Sequence, residues 1–158
     1  MESWLLPVRL HPMRKQIQFT GWLTPRQLTD WYRKADILVV PSWYEPFGMV
    51  ILEGMLHGVA IAASAVGGPT EILDDERTGL LFPAKNAKAL AAAILRLVRD
   101  SDHRLRIGTA GAREVRKNWL WDCIIEKMRR VYEELIPAAC SSTISAQTAA
   151  PRALAIAA

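Results

Sequence analysis

The sequence predicts an α/β fold, a parallel sheet with helices on both faces. Two short apolar runs carry much of that reading, Ile37-Leu38-Val39-Val40 and Gly58-Val59-Ala60-Ile61-Ala62-Ala63. Neither alternates apolar with polar residues, so each reads as a strand buried on both sides. The order of elements supplies the third observation. Strand, helix, strand, helix, strand succeed one another from residue 37 to 82, and parallel neighbours need such crossovers. In open sheets of this type a ligand sits at the carboxyl ends of the strands.

Taken in order, Ile17-Gln18-Phe19-Thr20 alternates apolar and polar before Gly21 and is expected to be a short strand. Thr24-Pro25-Arg26-Gln27 starts a helix. Thr24 suits the N-cap, Pro25 the first turn, and Gln27 completes a capping box. Leu28, Trp31, Tyr32 and Ala35 give that helix its apolar face. After the strand at 37–40 come a loop holding Pro41, Pro46 and Gly48 and an apolar helical stretch through Leu56. Val66-Gly67-Gly68-Pro69 is a loop, Thr70 to Leu73 a short helix, and Gly79 to Phe82 a further strand. Asn86 can cap a helix reaching Arg99, with Leu90, Ala93, Ile94 and Leu97 as its buried stripe. Ser101 or Asp102 should cap the next helix, towards Asn118. The last helix runs from Trp119 to Leu135, with Trp121, Ile124, Ile125, Met128, Val131, Tyr132 and Leu135 as its apolar positions. Arg113, Arg116, Lys117, Arg129 and Arg130 read as solvated faces, and the tryptophans mostly as packing residues, with Trp22 also able to stack on a base.

The chain has 158 residues, enough for one domain with a core and too few for two. The domain is expected over 1–136, with an Ala/Ser/Thr-rich flexible tail over 137–158. No apolar run spans a membrane, and the stretch from Met1 to Pro12 lacks the basic start and long apolar centre of a signal peptide. Cys123 and Cys140 are isolated, so no zinc spacing is present and a reduced, cytoplasmic setting fits. The net charge of +4 fits an anionic nucleotide or an acidic membrane surface. The basic residues are too spread for nucleic acid to be expected.

The chemistry gathers at Glu45-Pro46-Phe47-Gly48-Met49-Val50-Ile51-Leu52-Glu53, where a strand, a glycine-containing turn and a helix start meet. The first turn of a helix offers unpaired N–H groups and the positive end of the dipole, a natural seat for phosphate. Glu45 stands before those amides and Glu53 beyond them. The two carboxylates could accept from hydroxyls on either side of a diphosphate, in the order of a nucleotide sugar. Read from spacing alone, they are more simply a loop charge and a solvated helix charge. Glu71 could accept from the ligand or cap its short helix, and His57 reads as a helix-end residue.

That nine-residue word, followed by Gly67-Gly68-Pro69-Thr70-Glu71 and Thr78-Gly79-Leu80-Leu81-Phe82-Pro83, resembles the retaining GT-B glycosyltransferases of family 4. The similarity runs from about Gln18 to Leu135 and covers the C-terminal, donor-binding Rossmann-like domain. It implies the C-terminal half of a GT-B fold, N-terminally truncated. It also implies hexose transfer from a nucleotide-diphosphate sugar, with no metal or other cofactor. Glu45 matches the glutamate that meets the hexose near the reacting carbon, and Glu53 the one that accepts from the ribose. Pro46, Phe47, Gly48, Met49 and Val50 complete the donor-binding set, the last four through backbone N–H groups that meet sugar and diphosphate. The family's arginine and lysine clamp lies upstream of the strand matching Ile17–Thr20, and Arg14 and Lys15 do not match its spacing. A separate N-terminal half is therefore an expected partner, peripheral contact with the inner face of a membrane a further one, and the chain alone is expected to be inactive. The competing reading is a non-catalytic nucleotide-sugar-binding or interaction module, or a decayed fragment. A glycosidase using the two carboxylates fits the phosphate-binding turn poorly.

Overall fold

The computed structural model describes residues 12–135. The expected tail therefore lies outside the described residues, as do Trp4 and Cys140. The chain divides into two compact units, meeting in sequence between Ala35 and Asp36.

In the first unit a 3₁₀ turn, Pro12–Gln16, precedes irregular chain and helix α1, Pro25–Lys34. The cap is the one the sequence encodes. The Thr24 hydroxyl accepts from the Gln27 amide at 3.4 Å, and the Gln27 side chain accepts from the Thr24 amide at 2.9 Å. The strand expected at Ile17–Thr20 is absent: these residues are irregular and exposed. Alternation over four residues marks a face, but a strand exists only as part of a ladder. Among the described residues the sheet holds three strands, and this segment is not one of them. Trp22 is 96% exposed, Trp43 73% and Trp121 75%, so among the described residues most tryptophans do not serve as packing residues.

The second unit holds the sheet. Strands β1 (Ile37–Val40), β2 (Ala60–Ser64) and β3 (Leu80–Phe82) run parallel in the order β1-β2-β3. Ile37 pairs with Ala60 and Val40 with Ala63, while Ala62 pairs with Leu80 and Ser64 with Phe82. Between them lie α2 (Met49–Leu56) and the single turn α3 (Pro69–Ile72). Helices α4 (Ala87–Arg99), α5 (Ser101–Asn118) and α6 (Trp121–Leu135) follow.

Every residue of β2 is buried, because the central strand is covered on both faces. Its alternate residues Ala60 and Ala62, with Leu80 and Phe82 of β3, pack against Ala93 and Leu97 of α4 and Ile107 of α5. The helix α2 packs on β1 and β2 and sinks Ile51 and Met55 completely. Small residues in β2 let layers close from both sides.

Several boundaries differ from the sequence reading, β2 running Ala60–Ser64 rather than Gly58–Ala63 and the short helix Pro69–Ile72 rather than Thr70–Leu73 among them. The helix α5 is capped by Asp100, whose carboxylate accepts from the His103 amide at 2.8 Å. Ser101 and Asp102 are already helical. Trp119 ends α5 rather than opening α6, its amide donating to the Val115 carbonyl at 2.9 Å. The helix α6 buries none of its residues, and Trp121, Ile125, Met128, Val131, Tyr132 and Leu135 stand exposed along it.

Candidate functional site

The strand β1 ends at the buried Val40 and delivers the loop 41–48; β2 ends at Ser64 and delivers the loop 65–68. Both loops leave carboxyl ends of adjacent parallel strands, so they share one edge of the sheet, as expected. They are also locked together. The Gly68 amide donates to the Glu45 carbonyl at 3.0 Å. An added Cβ at Gly68 would lie 1.9 Å from the Phe47 carbonyl oxygen, and one at Gly67 2.4 Å from that of Glu45. The glycine pair is therefore the surface against which the Glu45–Gly48 backbone is cast. The sequence placed Gly67-Gly68 in a loop at this edge but gave the pair no contact with the motif; two adjacent glycines after a buried strand were the available signal for this close approach.

Gly48 is the N-cap of α2, with φ +97°, a left-handed conformation glycine adopts without steric cost. Its carbonyl accepts from the amides of Ile51 at 2.9 Å and Leu52 at 3.4 Å. The cap has no side chain to cover the helix end, so the amides of Met49 and Val50 lead the helix unblocked. Both residues are exposed. The positive end of the helix dipole and these N–H groups point to an anion at this edge.

Glu45 is half-buried just before that helix end, and the Ser42 hydroxyl donates to its Oε2 at 3.3 Å. Ser42 is a positioning contact that the sequence reading did not single out. Glu53 is half-buried one turn along α2, about 6 Å beyond Met49 along the axis. The phenyl ring of Phe47 meets Trp119 edge to face, with centroids 6.2 Å apart. A hollow of about 560 Å³ opens there, lined among others by Phe47, Glu71, Trp119 and Lys127. Glu71 does not serve as the cap of α3; Gly68 holds that position, and the Thr70 hydroxyl donates to the Gly67 carbonyl at 2.7 Å. His57 ends α2 as its C-cap, as expected.

On the α4 side of the same edge, a hollow of about 320 Å³ is lined by Pro41, Trp43, Ser64, Phe82 and Lys85. The Lys85 ammonium lies 5.0 Å from the Trp43 ring centroid. The arrangement as a whole can hold an anion at the head of α2 and hydroxyls on either side of it. Among the described residues no cluster of three or more His, Cys, Asp or Glu side chains could hold a metal ion.

Known proteins share this architecture. The chain is 34% identical over 121 residues to an uncharacterized glycosyltransferase of Methanocaldococcus jannaschii, covering 77% of this chain and 31% of the relative. Sucrose-phosphate synthase from Thermosynechococcus elongatus superposes with a TM-score of 0.74 at 35% identity, over 84% of this chain and 33% of that one. Anabaena HepE, solved in complex with UDP-glucose, shares the fold with a TM-score of 0.70 at 20% identity, over 82% of this chain and 35% of its own. The chain thus spans about a third of the length of the curated relatives it matches. Residues 8–114 match the profile of the Glycosyl transferases group 1 family, and the chain belongs to that family.

Proposed function

We propose that the chain is the donor-binding half of a retaining glycosyltransferase of family 4, acting on a nucleotide-diphosphate sugar. One observation carries this reading: the glycine-capped head of α2, with two leading amides, lies at the carboxyl edge of the sheet between Glu45 and Glu53. The complex of HepE with UDP-glucose, on the same fold, supports it.

In this reading the diphosphate sits on the amides of Phe47, Gly48, Met49 and Val50, with Pro46 shaping the turn before them. As the bond from the anomeric carbon to the diphosphate oxygen breaks, negative charge grows on the leaving group. Dipoles already aimed at that charge lower the barrier without reorganising. Glu45 accepts hydrogen bonds from hexose hydroxyls near the reacting carbon, and Ser42 holds its carboxylate in place. Glu53 accepts from the ribose. The donor is held without a metal. The acceptor is held by a separate N-terminal half, and the working site is cytoplasmic, at the inner face of a membrane.

Calorimetric titration of the chain with a panel of nucleoside diphosphates and nucleotide sugars tests the reading. One nucleotide should bind, and Glu53→Ala should weaken it by ~1.5–3 kcal/mol, the worth of a hydrogen bond to a charged group. Equal affinities for the two proteins, both folded, would remove Glu53 from the site.

A further inference from the structure

Half of the arginines among the described residues are matched with carboxylates. Arg77 pairs with Asp74, Arg96 with Glu76, Arg104 with Asp36, and Arg129 and Arg130 with Glu126. One face of α5 gathers basic residues that are not so matched. Arg113 and Lys117 lie four residues apart on it, both exposed, and among the described residues no carboxylate pairs with either. Like charges at that spacing repel, so the pair weakens the helix unless an anion answers it.

The same two residues line a hollow of about 750 Å³, together with His57, Gly58, Thr109 and Arg116. A smaller hollow of about 350 Å³ continues it past Thr109 to Arg106. Among the described residues no carboxylate lines either one. Arg116 is fixed in place, donating to the Leu56 carbonyl at 3.1 Å. It thereby answers the negative end of the α2 dipole, which would otherwise oppose an anion there. The site lies beside the turn that enters β2, while the donor loops leave its far end. The eight residues of α2 separate the two, about 12 Å along the axis.

We propose that this hollow is a second anion site, which takes a phosphate group. Arg113 and Lys117 neutralise it, Arg116 stands as a positioned donor, and the Thr109 hydroxyl adds a further hydrogen-bonding group. Guanidinium forks match phosphate oxygens in pairs, and Lys supplies a point charge. The phosphate can belong to a free phosphorylated compound or to the headgroup of an anionic lipid, since the recognising chemistry is the same.

The test uses the full chain and the double variant R113E/K117E, with R113Q/K117Q as a milder pair should charge reversal impair folding. The probes are inorganic pyrophosphate, by calorimetry, and vesicles of phosphatidylcholine containing a minority of phosphatidylglycerol, by cosedimentation. The wild-type chain should bind at least one probe, and the variants should weaken it by about tenfold or more. Pyrophosphate binding alone identifies a free phosphate compound; vesicle binding alone identifies the lipid headgroup. Nucleoside diphosphate affinity should be the same in all proteins, which separates this site from the donor loop. Absence of binding to both probes, or equal binding by wild type and variants, overturns the proposal. Tighter binding to duplex DNA than to either probe also overturns it, in favour of a nucleic-acid surface.

Discussion

Gly68→Ala probes the contact on which the site is built. The new Cβ would fall 1.9 Å from the Phe47 carbonyl oxygen, 2.3 Å from its carbonyl carbon and 2.5 Å from its Cα. All three are backbone atoms, so no side chain can swing aside. Normal contact requires the motif loop to retreat by more than about 1 Å. Overpacking of this kind costs ~1–3 kcal/mol. The Gly68 amide to Glu45 carbonyl bond, 3.0 Å in the wild type, is strained with it, and its loss adds ~0.5–1.5 kcal/mol. Together the variant should be ~2–4 kcal/mol less stable. It should also lose donor affinity under conditions where it remains folded, because Phe47 and Gly48 move with the loop. Urea denaturation followed by circular dichroism gives the first quantity and calorimetry with a nucleoside diphosphate the second. Gly21→Ala is the control: its φ is +64° but among the described residues nothing lies within 4 Å of the added Cβ. It should leave donor binding intact. If Gly68→Ala matched the wild type in both measurements, the two loops would not be cast against each other.

The remaining predictions concern chemistry and pH. Glu45→Gln should weaken a nucleotide sugar while leaving the bare nucleoside diphosphate nearly unchanged; a matched loss for both ligands would contradict its role at the hexose. The isolated chain should bind donor without transferring it, since holding two substrates in reacting geometry supplies ~7–11 kcal/mol and the chain spans about a third of its relatives. Acceptor-dependent release of nucleoside diphosphate by the isolated chain, abolished by Glu45→Ala, would refute this. Hydrogen bonds from Arg96 hold the Glu76 carboxyl below the usual carboxylate range, so the unfolded chain binds that proton more readily than the folded one. The stabilisation is whole above the ordinary glutamate range and fades as pH falls through the folded-state value. The pair is half exposed, so its worth is at most about 1 kcal/mol. Urea midpoints measured from neutral pH downwards should show a shallower acid loss in Glu76→Gln, and an unchanged slope would dismiss the pair.

Local signals were legible where the physics is local. The capping box at Thr24 and Gln27 and the Asn86 cap involve residues three apart, so the sequence already holds both partners. The strands at Ile37–Val40 and Ala60–Ser64 were visible as unbroken apolar runs, though full burial holds only for the second: in the edge strand β1 only Val40 is buried. The nine-residue word could be placed at a strand-to-helix turn for the same reason: the change of pattern on either side of Gly48 is written in consecutive residues.

What tertiary structure alone decided is every feature whose partner lies far along the chain. Ile17–Thr20 has the alternation of a strand, but a ladder needs a second strand, and the described residues bring none to it. Trp22, Trp43 and Trp121 have the composition of a core, and only packing could show that they remain outside it. The need for Gly68 arises from a carbonyl 21 residues earlier. Which basic residues meet carboxylates is likewise a matter of the fold: Arg96 reaches Glu76 across 20 residues, while among the described residues Arg113 and Lys117 meet none. Helices and buried strands follow from residues within a few positions of one another, whereas close approach, pairing and exposure follow from which surfaces the fold brings together.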